Sequence, residues 1–411
     1  MMKQVIKLKY LVVLADGMAD YPVPELNGKT PLQVSNKSNM DRLAKSGEVG
    51  LVRTVPPGMP PGSDVANLAV MGYNPRQYYT GRSPLEAISI GVELALSDVS
   101  FRCNLVTLSD APTPDEKTMI DYSAGEITTK EAEVLIKDLA KELDSEAIHL
   151  YPGISYRHLM VWHNGPSDCR LTPPHDISDR LIGAFLPKGE CSQVLMNLMK
   201  KSWSILENHP VNQERKKSGL RPANSVWFWG EGHKPNITGF SEKYGLKGSV
   251  ISAVDLAKGL GIAAGLRVIN VPGATGNIHT NFQGKAQAVL DAFKAGDDFV
   301  YLHIEAPDEA GHQGDLQTKI RAIERIDAEV LEIILAELPK ISADFKLMLL
   351  PDHPTPVTLK THVADPVPFV IYQAENGIVK GSTAVFDETA AAGTGIVVEE
   401  GYRLMDRFIK G

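Results

Sequence analysis

Three short apolar runs that each stop at an acid narrow the choice of fold more than any other feature of this 411-residue chain. Tyr10-Leu11-Val12-Val13-Leu14 leads to Asp16. Phe299-Val300-Tyr301-Leu302-His303-Ile304 leads to Glu305 and Asp308. Leu347-Met348-Leu349-Leu350 leads to Asp352. Unbroken apolar runs of this length suit strands covered on both faces. Helical patterns lie between them, over residues 84–90, 252–260 and 316–338. In the last, Ile320, Ile323, Ile326, Val330, Leu331, Ile334 and Leu338 recur at spacings of three and four. Alternating strands and helices predict an α/β layered fold with a mostly parallel sheet. Ligand sites in such sheets lie just beyond the carboxyl ends of the strands, where these acids sit.

The middle of the chain reads differently. Residues 99–107 alternate like a strand in a mixed sheet. A charged helix over 129–143, a strand over 156–162, a helix over 190–208 and a strand over 225–229 follow. The order β-α-β-α-β predicts an inserted α+β domain at 96–235, leaving 1–95 and 236–411 as one discontinuous core domain. Residues 230–239, rich in Gly and polar groups, make a hinge back to the core. Hydrophobic residues are 43% of the chain, enough for large cores and against disorder. The formal charge of −8, with no long basic run, argues against a nucleic-acid partner. No stretch reaches the roughly 18 apolar residues of a membrane span. Cys103, Cys169 and Cys191 are scattered, without a CxxC pair, which fits a reducing, cytoplasmic setting.

Three constellations carry chemistry. In Pro60-Pro61-Gly62-Ser63-Asp64, Ser63 reads either as a plain N-cap or as a nucleophile at a helix N-terminus, where the backbone amides favour an anion such as a phosphoryl group. In Glu305-Ala306-Pro307-Asp308-Glu309-Ala310-Gly311-His312, Asp308 and His312 are four apart and share one face of a helix. Asp352-His353, with His362 nine residues beyond, adds further ligands. Asp16, Ser63, Asp308, His312, Asp352, His353 and His362 together offer enough oxygen and nitrogen donors for two divalent ions. The mixed donor set permits Mn²⁺, Zn²⁺, Co²⁺ or Mg²⁺. Two such ions clamp the attacking and leaving oxygens of a phosphoryl transfer. No organic cofactor is called for, and no GxxxxGK[ST] loop of a conventional ATP kinase occurs.

The order Asp16, Gly62-Ser63-Asp64-Val65-Ala66-Asn67, Asp308-x-x-x-His312, Asp352-His353, His362 resembles cofactor-independent phosphoglycerate mutases of the archaeal type, within the alkaline phosphatase superfamily. The likeness extends to Tyr79-Thr80-Gly81-Arg82, Tyr156-Arg157-His158 and the stretch from Lys247-Gly248-Ser249 to Lys258-Gly259-Leu260. It implies an alkaline-phosphatase-like three-layer core and a small phosphorylated substrate. One metal would take Asp308, His312 and His362. The other would take Asp16, Ser63, Asp352 and His353. Ser63 would pass through a phosphoserine while the glycerate reorients, with the insert closing over the metals. Arg157, His158 and Arg102 would orient the substrate, and Lys247 would lie near the transferring phosphate. Two elements depart from the family. Its Arg-Ala-Gly-Arg element stands here as Ser123-Ala124-Gly125-Glu126, after Asp121, and its Arg-Gly element as Gly230-Glu231-Gly232. A related subgroup with this look has been proposed to be a homoserine kinase, whose substrate ammonium Asp121, Glu126 or Glu231 could complement. The same ligand set also suits a phosphomonoesterase or a non-catalytic metal-binding protein.

Overall fold

The computed structural model describes residues 8–374 and 382–411. They form two compact units, one made of residues up to 79 and from 237 onward, the other of residues 80–236.

The first unit is built on an eight-stranded sheet. Its order is Arg267–Ile269, Gly248–Ile251, Phe299–Ile304, Lys9–Ala15, Phe345–Leu350, Val367–Gln373, Glu48–Val52, Val397–Val398. Only Val367–Gln373 runs against its neighbours, and the other strands share one direction. The three acid-terminated runs are the adjacent central strands. Their register pairs Ala15 with Ile304 and Leu14 with Leu350, so their carboxyl ends finish level. Alternate residues of each strand face opposite layers. On one side Leu11, Val13, Leu302 and Leu347 pack beneath Val289, Phe293, Ile326 and Ile334 from the flanking helices. On the other, Phe299 stacks on Phe240 at 4.3 Å and Tyr10 meets Phe408 edge-on at 5.6 Å. Each fully buried Leu, Ile or Phe contributes roughly 1.5–3 kcal/mol.

The helical pattern over 316–338 is interrupted. Leu316–Arg325 and Glu332–Ile341 are α-helical, but Ile326–Leu331 between them is a π-turn. The extra residue turns Asp327 inward, where its carboxylate accepts the backbone N–H groups of Asn39 and Met40 at 3.2 and 2.8 Å. It thereby caps the Ser38–Ser46 helix. The stripe is also offset by one residue at its start. Lys319 is buried, whereas Ile320 is half-exposed.

The second unit is an antiparallel sheet centred on Val99–Leu108, with Arg157–Trp162 on one side and Ser225–His233 on the other. Ile148–Ile154 forms its edge. Helices Thr129–Leu143 and Ser192–Glu207 cover one face through Leu135, Ile136, Leu195 and Met199. This unit begins about sixteen residues before the expected boundary at 96, with residue 80. The reason is local. The Ser83 hydroxyl bonds Ser100 O at 2.8 Å, and Ala87 and Leu94 pack on Leu159 and Val161. The structure also joins Cys169 and Cys191, which their spacing in the sequence does not connect. The Cys169–Arg170 and Lys188–Gly189 ribbon brings their Cα atoms to 5.7 Å and they form a disulfide. Cys103 stays free and buried.

Candidate active site

The level carboxyl ends of the three central strands set the site. Asp16 extends its strand by one rung, its N–H donating to Ile304 O at 2.9 Å. Gly17 then turns with φ +61°, and a Cβ there would lie 2.6 Å from the Asp308 backbone, so only glycine lets the two chains approach. The Gly17 N–H donates to Asp352 Oδ1 at 3.2 Å. Asp352 is fixed further by the His353 N–H at 2.9 Å and by Asn67 Nδ2, 2.9 Å from Oδ2.

Ser63 opens the Ser63–Val70 helix, but Gly62 holds the N-cap position and no side chain caps it. The plain capping role therefore does not describe Ser63. Its hydroxyl instead lies 3.1 Å from His353 Nε2. That nitrogen is also 3.7 Å from Asp16 Oδ1 and 3.4 Å from Asp352 Oδ2. Asp308 and His312 share a face of the Ala306–Gln313 helix, 3.3 Å apart, and His362 Nε2 lies 3.4 Å from Asp308. The Nε2 atoms of His312 and His362 are 2.8 Å apart, both aimed at the same carboxylate.

Protonation follows from burial and crowding. Burial and the charges of Asp352, Glu305 and Asp308 push the Asp16 carboxyl well above its usual range. Asp308 is held well below it, because bonds from His312 and His362 outweigh burial. Burial disfavours charge on His312 too, but Asp308 wins and raises it to about 9. Buried His353 is pushed down. Asp16 Oδ1 is buried and has no hydrogen-bond partner among the described residues. Such an acceptor, amid repelling carboxylates and imidazole nitrogens, fits a cation. Ligand atoms of Asp308, His353 and His362, and of Asp16, Asp352 and His353, each lie within 4.8 Å of one another. These seven expected residues are thus brought together.

Four supporting residues, His303, Asn67, Thr355 and Lys319, are not singled out by the sequence pattern. His303 Nε2 sits 2.8 Å from Asp16 Oδ2, its Nδ1 3.1 Å from the Ser252 hydroxyl, and Glu305 completes a third group with them. Burial drops His303 to about 4, so it is neutral. Asn67 links Ser63 O to Asp352 and accepts from the Tyr301 hydroxyl at 2.7 Å. Thr355 donates to Asp308 at 2.5 Å. Lys319 is wholly buried, with Nζ 2.7 Å from Asp20, 2.8 Å from Thr355 O and 3.2 Å from Ala19 O. It ties together the segments that follow the Asp16 and Asp352 strands.

Lys247 is corrected. It precedes the Gly248–Ile251 strand, exposed, and its carbonyl accepts from Asp298 and Phe299 N–H. In a parallel sheet that is the amino end, opposite Asp16, Asp308 and Asp352.

In the inserted unit, alternation separates the neighbouring candidates. Asn104 pairs with Arg157 and Arg102 with Leu159, so Arg102 and Arg157 share one face. His158 pairs with Cys103 on the helix-covered face. It is 2% exposed, accepts from Gly153 N at 2.9 Å, and burial lowers it to about 3. His158 is thus buried on the face opposite Arg102 and Arg157. Arg102 bonds Glu86 at 2.9 Å and lies 4.2 Å over Trp229, while Arg82 reaches Glu86 at 3.2 Å. Burial lowers Arg102 to about 10 against the pull of Glu86. Arg157 lies exposed, 5.3 Å from the Tyr156 ring. Of the acids that could complement an ammonium, Asp121 is otherwise engaged. Asp121 accepts from Ser123 and Gly125 N–H and pairs with Arg221 at 2.5 Å. Glu126 lies exposed in a left-handed turn.

A serine hydroxyl set among carboxylates and imidazoles at the carboxyl ends of a largely parallel sheet is the site of a metal-dependent phosphoryl-transfer enzyme. Comparison with known proteins narrows the class. Residues 44–212 match the 2,3-bisphosphoglycerate-independent phosphoglycerate mutase family. A Geobacter sulfurreducens protein named as a probable mutase of this kind is 52% identical, covering 98% of this chain and all of its own. A Methanothrix thermoacetophila protein named as such a mutase is 50% identical over the same shares. A solved Pyrococcus horikoshii structure superposes with a TM-score of 0.82 at 30% identity, covering 99% of this chain and 97% of its own. The chain belongs to the family of 2,3-bisphosphoglycerate-independent phosphoglycerate mutases. These relatives give the homoserine kinase reading no support. Among the described residues, no helix is long and apolar enough to cross a membrane.

Proposed function

We propose that the chain interconverts 3-phosphoglycerate and 2-phosphoglycerate through a phosphoserine at Ser63. The observation that carries this reading is the Ser63 hydroxyl, 3.1 Å from His353 Nε2, an imidazole that groups with Asp16 and Asp352 and with Asp308 and His362. Family membership supports the substrate. Two divalent ions, held by Asp308, His312 and His362 and by Asp16, Ser63, Asp352 and His353, would neutralise phosphoryl charge and make the serine easier to deprotonate. Mn²⁺, Zn²⁺, Co²⁺ and Mg²⁺ all suit these donors.

The chain's own residues do the rest. Ser63 Oγ forms a bond to phosphorus as the glycerate ester oxygen leaves. The other glycerate hydroxyl then takes the phosphoryl group back, and the serine is restored. Asn67 and Thr355 hold Asp352 and Asp308 in place. In the insert, Arg82, Arg102 and Arg157 share the single carboxylate Glu86, an excess of positive charge suited to a substrate carboxylate. A purified sample given 3-phosphoglycerate and Mn²⁺, without 2,3-bisphosphoglycerate, forms 2-phosphoglycerate. Turnover of homoserine with a phosphate donor, and none of 3-phosphoglycerate, would overturn the proposal.

A further inference from the structure

A second cluster of metal-binding side chains lies in the inserted unit and belongs to none of the machinery above. His149 faces Val161 across the antiparallel pair of Ile148–Ile154 and Arg157–Trp162. His163 continues the second strand by one rung, its N–H donating to Ala147 O at 2.7 Å. The two histidines are therefore diagonal neighbours on one face, a spacing that long side chains bridge. Their rings sit 5.3 Å apart, centroid to centroid, at 64°. Two imidazoles bound through Nε2 to one tetrahedral ion, each about 2.1 Å from it, have centroids roughly 5 Å apart.

Each ring is also held from behind. His163 Nδ1 lies 3.0 Å from Asp98 Oδ1, while Asp98 Oδ2 accepts the Ala95 N–H at 2.8 Å. His149 Nδ1 lies 3.4 Å from Asp144 Oδ2, while Asp144 Oδ1 accepts the Leu150 N–H at 3.0 Å. Both carboxylates use one oxygen on the backbone and the other on an imidazole. Metal-bound histidines are oriented in this way, with Nδ1–H on a carboxylate and the Nε2 lone pair presented outward. Burial and then the charges of Asp144 and Asp98 raise the Tyr151 phenol, so both acids bear on one spot. Asp98 is buried, and both histidines are half-exposed and reachable from solvent.

We propose that His149 and His163 form a binding site for a first-row transition ion such as Zn²⁺, distinct from the ions at Ser63. Equilibrium dialysis against Zn²⁺ tests it. The wild type binds one more ion per chain than either His149→Gln or His163→Gln. Asp98→Asn weakens that ion about tenfold or more. Turnover of 3-phosphoglycerate is unchanged in His149→Gln. In the wild type, the ring-proton NMR signals of both histidines move together as Zn²⁺ is added, a reading that needs no variant. Equal Zn²⁺ stoichiometry and affinity in the wild type and both glutamine variants, or ring signals that stay still, would overturn the proposal.

Discussion

The two units treat buried charge in opposite ways. In the first, Asp16, Asp308, Asp352 and Glu305 converge at the strand ends, and burial keeps His303 and His353 from supplying positive charge. In the second, three arginines bear on one half-buried carboxylate, Glu86. One cluster has a surplus of negative charge and the other of positive charge. On the proposed reading, the negative residues at the strand ends would be donors for cations, while the cationic surplus belongs to the other unit.

Each half of this contrast can be broken separately. The largest effect concerns the brace of the acidic half. Lys319→Met leaves Asp20 buried without its partner, and breaking a buried pair costs about 3–5 kcal/mol. A denaturant melt reads this directly, and an unchanged midpoint contradicts the brace. Next, Arg157→Ala removes an exposed charge of the basic half. KM for 3-phosphoglycerate should rise about tenfold to a hundredfold, the worth of a charged hydrogen bond, with stability little altered. His158→Gln, the adjacent residue on the opposite face, should change stability and leave KM in place.

A smaller effect is set by pH. His312 holds its proton up to about 9 in the metal-free protein, because Asp308 outweighs burial. An incoming ion must displace that proton. Affinity at this position therefore rises about tenfold per pH unit below 9, and falls as pH drops. Calorimetry with Mn²⁺ at pH 7 and 8 shows the slope, and equal affinities would sink the assignment. The smallest effect is expected at Lys247. Lys247→Ala should shift stability by less than about 0.5 kcal/mol and leave turnover untouched, as for a surface residue at the far end of the sheet.

Much of the first unit is legible in the sequence, since acid-terminated apolar runs announce buried parallel strands and their carboxyl ends. The seven ligand candidates follow from that placement and from the family likeness. His303 is hidden because it lies inside an apolar run, where a lone polar residue looks incidental. A signal exists all the same, since a histidine in a doubly covered strand needs a partner. Asn67 carries one too, as the residue one helical turn after Ser63 on the same face. Lys319 is masked by the apolar stripe beside it, and Asp327 by the π-turn that no periodicity foretells. In the insert, the edge strand Ile148–Ile154 is obscured because Pro152 and Gly153 read as strand breakers, which edges tolerate. Lys247 and His158 lie apart from the other candidates for geometric reasons: one is at the amino end of a strand, the other on the helix-covered face.

The central claim is that Ser63 carries the phosphoryl group between the two glycerate oxygens. The most direct measurement is to mix the Mn²⁺-loaded enzyme with 3-phosphoglycerate, quench in acid within a turnover, and examine the Ser63 peptide by mass spectrometry. Phosphate is expected on Ser63 in the wild type. Ser63→Ala should carry none, with turnover lower by about 10³-fold or more. A Ser63→Ala enzyme that still forms 2-phosphoglycerate at the wild-type rate would contradict the account.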